Sequence, residues 1–98
     1  MKYFSWDSEK NEKLKSERNI SFEDIIHYIE KGQVLDILEH PNKSKYPNQF
    51  IFVITVEDYV YLVPFVEREN EIFFKTIIPS RKATKKYLKG DDKSERDD

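Results

Sequence analysis

A run of basic side chains follows the last apolar segment of the chain and is its clearest chemical feature. After Pro79 and Ser80, five bases fall within nine positions with no acid among them: Arg81, Lys82, Lys85, Lys86 and Lys89. A helix N-terminus binds phosphate through backbone N–H groups, and a capping hydroxyl and a guanidinium strengthen such a site. Because Ser80 can cap a helix over residues 81–89, the sequence predicts that Arg81 contacts phosphate.

The lysines of this run have a second interpretation. Lys82, Lys85, Lys86 and Lys89 could simply solvate the surface of the helix, or pair with the acidic segment 57–71. Arg81 differs from them because a cation in the first turn of a helix is unfavourable unless an anion lies there.

The loop HPNKSKY, residues 40–46, holds the other residues that could meet a substrate. A substrate-facing role is open for His40, whereas His27 lies off the apolar stripe of its helix and is predicted at the surface. No metal-ligand spacing and no glycine-rich phosphate loop occurs, so we expect no metal and no cofactor. The residues predicted to bind a nucleic-acid backbone or base are Lys43, Lys45, Tyr46, Lys82, Lys85 and Lys86.

Length and composition indicate one small folded domain. The 98 residues are 38% hydrophobic and contain no cysteine and no apolar run long enough to cross a membrane, so we expect a cytoplasmic protein with a domain over residues 1–90. The acidic tail 91–98 is predicted to be disordered. A net charge of −2 argues against a nucleic-acid binder, but residues 75–90 hold six bases and no acid, and such a local basic face is what binds phosphates.

Hydrophobic periodicity predicts an α+β fold. Ser21 can cap a helix with an apolar stripe, and Asp24 three residues later can complete the cap; Gly32 ends that helix. A weaker, solvated helix is predicted over 8–18. The expected architecture is helices packed on one face of an antiparallel sheet, with a short basic C-terminal helix. The predicted strands are 2–6, 34–38, 50–56, 59–66 and 72–78.

Two local features refine the predicted strands. Glu57-Asp58 is short enough to be the turn of a hairpin. Pro64 cannot donate a hydrogen bond to a neighbouring strand, so a bulge or an edge-facing position is expected there.

Three motifs resemble a known family in order and spacing. FSWDSEK (4–10), NISFE (19–23) and IPSRKAT (78–84) are similar to the F-x-W-D-x-x-K opening, the G-V-S-F-E helix start and the closing I-S-A-R-R-A-T of BrnT-type toxins. These toxins are members of the RelE/ParE superfamily of type II toxin–antitoxin systems. The resemblance covers about residues 3–87.

The resemblance implies a RelE-like fold and a metal-independent endoribonuclease, an mRNA interferase that activates the ribose 2′-hydroxyl against the adjacent phosphate. It also implies that a cognate antitoxin neutralises the toxin. RNA, free or ribosome-bound, would be the substrate, and operator DNA would be bound only through the antitoxin complex. The reaction needs a base, cations for the phosphorane charge and an acid for the leaving oxygen.

The same resemblance assigns four catalytic residues. Arg81 matches the closing arginine and would bind the scissile phosphate, and Lys75 matches a basic residue on the preceding strand. Glu67 and Arg68 match an E-R pair, so Glu67 is the predicted base and Arg68 a second phosphate contact. The loop histidine of the family has no clean counterpart here; Lys43 or Lys45 would supply that cation.

A non-catalytic binding module of the same fold is the alternative. Such a protein would inhibit a protein target, bind nucleic acid without cutting it, or serve only as the partner of the antitoxin. The near-neutral net charge favours this reading slightly.

Overall fold

The computed structural model describes residues 2–88, in which helices and strands follow the predicted order. Lys89, the helix end at Gly90 and the acidic tail lie outside the described residues. The elements are β1 (Tyr3–Ser5), α1 (Ser8–Arg18), α2 (Phe22–Glu30), β2 (Val34–Glu39), β3 (Gln49–Val56), β4 (Tyr59–Glu67), β5 (Glu71–Phe74), β6 (Ile78–Pro79) and α3 (Arg81–Leu88).

The strands form one mixed sheet in the order β1-β5-β4-β3-β2, with β6 also paired to β4. The α+β class is confirmed, but the prediction of a wholly antiparallel sheet is wrong, since β1 runs parallel to β5. A parallel pair requires a long connection, and here the two helices and the meander between β1 and β5 provide it. Because β1 and β5 are far apart in the sequence, no local sequence pattern indicates that they pair.

Side chains alternate between two different faces of the sheet. On the core face, Phe52 of β3 and Val63 of β4 belong to a buried cluster that also contains Phe22 and Ile25 of α2. The opposite side, here called the open face, carries the intervening residues of the same strands: Ile51 and Val53 of β3, and Leu62 and Pro64 of β4.

The cap of α2 and the hairpin turn form as predicted. The Ser21 side chain accepts from the Asp24 backbone N–H at 3.1 Å, and the Asp24 carboxylate accepts from the Ser21 backbone N–H at 3.0 Å. Gly32 follows the helix with φ +80°. Glu57 and Asp58 both have positive φ, as a tight turn between right-twisted strands requires.

Pro64 explains why the predicted strand 72–78 is interrupted. It pairs with Ile51 without a bulge, and its carbonyl oxygen accepts from the Lys75 backbone N–H at 2.8 Å. Proline has no N–H to donate on that side of β4, and at this point the neighbour of β4 changes from β5 to β6. β5 therefore ends at Phe74, and Lys75 lies beyond the strand on which it was predicted.

The solvated helix predicted over 8–18 has a buried anchor in α1. Asn11 is only 3% exposed. Its Oδ1 accepts from the Phe22 backbone N–H at 2.8 Å, and its Nδ2 donates to Glu23 Oε1 at 2.8 Å. This bond from Asn11 is the main cause that lowers the pKa of Glu23 below its ordinary value. One amide thus fixes α1 against the start of α2.

Replacing Asn11 by alanine should destabilise the fold. The variant leaves the buried Phe22 N–H without an acceptor, so we expect the free energy of unfolding to fall by about 1–3 kcal/mol in urea denaturation. Ser16→Ala, at an exposed position of the same helix, is the control and should change it by no more than about 0.5 kcal/mol. Equal stability of the two variants would contradict the anchoring role.

Candidate nucleic-acid interface

Helix α3 is held at the start of β4 by hydrogen bonds. The Ser80 hydroxyl accepts from the Ala83 backbone N–H at 3.0 Å, which confirms the predicted cap. The Thr84 side chain is buried; its hydroxyl accepts from the Val60 backbone N–H at 2.9 Å and donates to the Ser80 carbonyl at 2.7 Å. The basic helix therefore has a fixed position on the sheet.

A second bond fixes the other end of α3. The Tyr87 hydroxyl donates to the Asp36 carboxylate of β2 at 3.0 Å. Burial raises the pKa of Tyr87, and the bond to Asp36 and its negative charge raise it further. A cavity between α3 and the sheet is lined by Val53 and Leu62 together with Tyr87, so α3 crosses the open face from β4 to β2.

The cations of α3 are exposed and have no acidic partner within the described residues. Arg81, Lys82, Lys85 and Lys86 form no ion pair within 4.0 Å in residues 2–88. Two acids of the segment 57–71 have other partners: Glu67 pairs with Lys2 at 2.7 Å, and Glu71 with Arg68 at 3.2 Å. No ion pair within 4.0 Å joins the basic helix to that segment in residues 2–88, although Asp58 lines the same cavity as Arg81 and Lys85.

A groove lies on the open face at Ile51 and Pro64, on the same two strands as the Val53 and Leu62 that line the cavity under α3. Its volume is about 350 Å³, within the range of small-ligand sites. Ile51 and Pro64 give it an apolar floor, and no carboxylate lines it. We call it the open-face groove; its polar lining residues are His40, Gln49, Lys75 and Thr76.

His40 lines this groove, and one of its ring nitrogens is already bonded. Its Nδ1 accepts from the Asn42 backbone N–H at 3.0 Å. A backbone amide can only donate, so Nδ1 carries no hydrogen in this arrangement, and the neutral ring carries it on Nε2. The ring also packs against Tyr46, with 4.5 Å between centroids. The loop therefore orients His40 from two sides.

The loop lysines lie next to this histidine at the surface. Lys43 pairs with Glu39 at 3.1 Å, and Lys45 Nζ lies 5.4 Å from the ring centroid of Tyr46. Both lysines are exposed, whereas Tyr46 is half-buried. The three predicted RNA-binding residues of the loop thus flank His40.

The four predicted catalytic residues do not converge on one point. Glu67 pairs with Ile72, whose side chain packs against the core, so Glu67 lies on the core face, away from Lys75. Arg81 shares a cavity with Tyr59 at the opposite end of β4. Eight residues along a strand span roughly 26 Å, too far for Glu67 and Arg81 to contact one phosphate.

Arg68 and Lys75 have different surroundings from Glu67. The Arg68 guanidinium lies 5.2 Å from the ring centroid of Phe73, which faces the open side by alternation with the buried Phe74. Lys75 lines the open-face groove. The structure thus places Lys75, Arg68 and the basic helix on one side of the sheet and Glu67 on the other.

Another cavity, of about 360 Å³, lies near the β3–β4 turn and is lined by Arg18, Tyr28 and Tyr59. Two carboxylates, Asp24 and Glu57, also line it and would repel phosphates. Arg18 donates to the Ile77 carbonyl at 2.7 Å. This cavity suits a polyanion less well than the open face.

Sequence reasoning did not find three residues of this interface. Gln49 and Thr76 line the groove, and Asp36 holds Tyr87. Their types carry no signal of function; only the strand register and the turn after β5 bring them there. Within residues 2–88 no group of three or more histidines and acids could hold a metal ion, and no helix is long and apolar enough to cross a membrane.

The fold and the interface define a small α+β protein with a basic face suited to a polyanion. A family model described as "Ribonuclease toxin, BrnT, of type II toxin-antitoxin system" matches residues 6–86. The chain therefore belongs to the BrnT family of ribonuclease toxins, a family that implies an antitoxin partner and an RNA substrate. No curated protein and no solved structure matches the chain. The wider RelE/ParE relationship stays a prediction.

The bond between Tyr87 and Asp36 should give α3 a measurable pH dependence. A raised pKa in the folded state means that this stabilisation is present below pH 10, the ordinary value, and is lost as pH rises through the raised pKa. In denaturation between pH 8 and about pH 11, the stability advantage of the wild type over Tyr87→Phe should shrink only at the alkaline end. Tyr3→Phe, at a highly exposed position, is the control. A constant difference between wild type and Tyr87→Phe would contradict the assignment.

Proposed function

We propose that this chain is the toxin of a type II toxin–antitoxin system and cleaves RNA on its open face. One observation carries the proposal: the groove with His40 and Lys75 lies on the same side of the sheet as α3, whose cations form no ion pair with the residues that the structure describes. A polyanion on that face would meet a phosphate-binding helix and a concave site together. The family match over residues 6–86 includes both features.

In this proposal α3 binds the RNA backbone. Arg81 contacts a phosphate at the helix N-terminus, and Lys82, Lys85 and Lys86 follow the neighbouring phosphates along the exposed side. Lys43 and Lys45 extend the basic surface on the other side of the groove, where Tyr46 offers an aromatic edge to a base. Local charge, rather than the net charge of −2, determines this binding.

The proposed cleavage uses the RNA itself as the nucleophile. The 2′-oxygen attacks the adjacent phosphorus, the 5′-oxygen leaves, and the products are a 2′,3′-cyclic phosphate and a 5′-hydroxyl. His40 Nε2–H and the Lys75 ammonium stabilise the phosphorane charge, and Lys75 gives a proton to the leaving oxygen. The proton of the 2′-hydroxyl passes to water. We propose that this chemistry proceeds without a metal ion.

The proposed mechanism does not use Glu67 as the base, which differs from the prediction based on the family resemblance. Glu67 lies on the core face and is paired with Lys2, so its position gives no support to a role in abstracting the 2′-proton. Lys75 stays a catalytic residue in the proposal, whereas Arg81, which was predicted to bind the scissile phosphate, contacts another phosphate because it lies at the other end of β4. Arg68 lies at the border of the open face and would contact the RNA backbone there.

We further propose that a cognate antitoxin neutralises the toxin and that operator DNA is bound only through that complex. The protein would act in the cytoplasm, on free or ribosome-bound RNA, with the fold of the RelE/ParE superfamily. The family match supports this, because the family is described as a toxin of type II toxin–antitoxin systems.

Purified chain incubated with RNA in the presence of EDTA tests the site. The wild type should cut RNA and leave 2′,3′-cyclic phosphate ends. His40→Ala and Lys75→Ala should lower the cleavage rate by about 10²–10³-fold, because each removes a group that stabilises developing charge. Glu67→Gln should cut at close to the wild-type rate, which makes it the matched control.

Three outcomes would overturn parts of the account. Loss of cleavage in Glu67→Gln, with normal rates in the other two variants, would indicate that the catalytic site lies on the core face. A requirement for added Mg²⁺ would contradict the metal-independent mechanism. Growth arrest on induction with intact RNA would instead indicate the non-catalytic alternative, a toxin that inhibits a protein target.

A further inference from the structure

The edge strand β2 carries an exposed apolar surface that the proposed cleavage does not use. β2 is the last strand of the sheet, with β3 on only one side. Ile37 is 53% exposed, and Leu35 and Leu38 on the same strand are each 38% exposed. Exposed apolar edge strands are templates for pairing with another extended segment.

The backbone of β2 has hydrogen-bonding groups that point away from the sheet. The His40 N–H donates to the Gln49 carbonyl of β3. Because these directions alternate along an antiparallel strand, the N–H groups of Ile37 and Glu39 point outward. The Ile37 N–H is met instead by the carboxylate of its neighbour Asp36 at 2.8 Å. The Asp36 side chain thus covers one of these two outward N–H groups.

A second copy of the chain fits this edge poorly. If two copies of β2 paired antiparallel, residues whose backbone groups point outward would lie opposite one another. The two-fold axis of such a pair would therefore pass through a residue of the strand. Centred on Ile37, it pairs the two Ile37 side chains but sets Asp36 opposite Leu38 and Leu35 opposite Glu39. Centred on Leu38, it pairs the two Leu38 side chains but sets Ile37 opposite Glu39. Centred on Asp36, it sets two carboxylates opposite each other, which is unfavourable.

The acids of β2 define the chemistry of a better partner. Asp36 and Glu39, the latter in an exposed ion pair with Lys43, favour a segment with lysine or arginine opposite these two residues. The same segment would place apolar side chains opposite Ile37 and Leu38, and the two carboxylates disfavour RNA. We propose that an extended segment of the antitoxin adds as a strand to the edge of β2, with a cation at Asp36 and an apolar side chain on Ile37. This inference rests on the proposed function, in which an antitoxin neutralises the chain.

Asp36 would couple this docking to the basic helix. Its Oδ1 accepts from the Ile37 N–H, and its Oδ2 accepts from the Tyr87 hydroxyl of α3. A strand that pairs with Ile37 must displace the first bond, and a cation that binds the carboxylate competes for the second. The antitoxin would thereby change how α3 is held without covering the open-face groove.

Co-expression with the product of the adjacent reading frame tests the proposal. Ile37→Lys places a charge on the β2 edge, and Tyr3→Lys makes the same change at the more exposed edge strand β1. Expressed alone, both variants should arrest growth like the wild type. With the adjacent product, Tyr3→Lys should be neutralised, whereas Ile37→Lys should escape with a Kd raised at least about tenfold.

Amide hydrogen exchange on the wild-type complex gives a second readout that needs no variant. The outward Glu39 amide should exchange more slowly in the complex than in the free chain, because strand addition gives it an acceptor. Normal neutralisation of Ile37→Lys, or an unchanged Glu39 amide, would overturn the strand-addition proposal alone. If the adjacent product fails to neutralise the wild type, the proposed antitoxin relationship falls, and this inference falls with it.

Discussion

The alternation of side chains along β4 organises the whole molecule. One side of the strand enters the core through Val63 and Phe65, while the Val60 backbone holds Thr84 of the basic helix. Pro64 then prevents β5 from continuing along β4, so the chain leaves the sheet at Lys75 and returns at Ile78. Lys75 and Thr76 of this segment line the groove, and the segment leads through β6 to the start of α3.

The ion-paired acids of β4 and β5 and the basic side chains of α3 lie in different parts of the structure. The acids Glu67 and Glu71 are paired at the far end of β4, and Asp36 is committed to Tyr87. The cations of α3 form no ion pair within 4.0 Å in residues 2–88 and are exposed there. A net charge of −2 therefore coexists with a face that is locally basic.

Local chemistry was readable from the sequence, and distant pairing was not. Ser21 with Asp24, Ser80, and the Glu57-Asp58 turn each depend on residues within a few positions, and all were predicted. The parallel partner of β1 and the split of the last apolar run depend on contacts with remote strands. The family motifs confirm the class of protein, but register alone decides that Glu67 faces the core.

The same division applies to the site. Arg81 was predicted to contact phosphate because a cation in the first turn of a helix conflicts with the helix dipole. His40 was left open, since only the folded loop shows that its Nδ1 is occupied and that its ring packs on Tyr46. Thr76 and Gln49 could not have been found, because the turn after β5 and the strand register bring them to the groove.

The use of the open face by RNA can be tested by an NMR titration of the ¹⁵N-labelled chain. A short RNA with 2′-O-methyl groups cannot be cut by its own 2′-oxygen and would report binding alone. The account predicts that the amide signals of Gln49, Ile51, Thr76 and Arg81 shift together as RNA is added. Shifts confined to the cavity around Tyr28 and Tyr59 would contradict it and move the RNA site to the other side of the sheet.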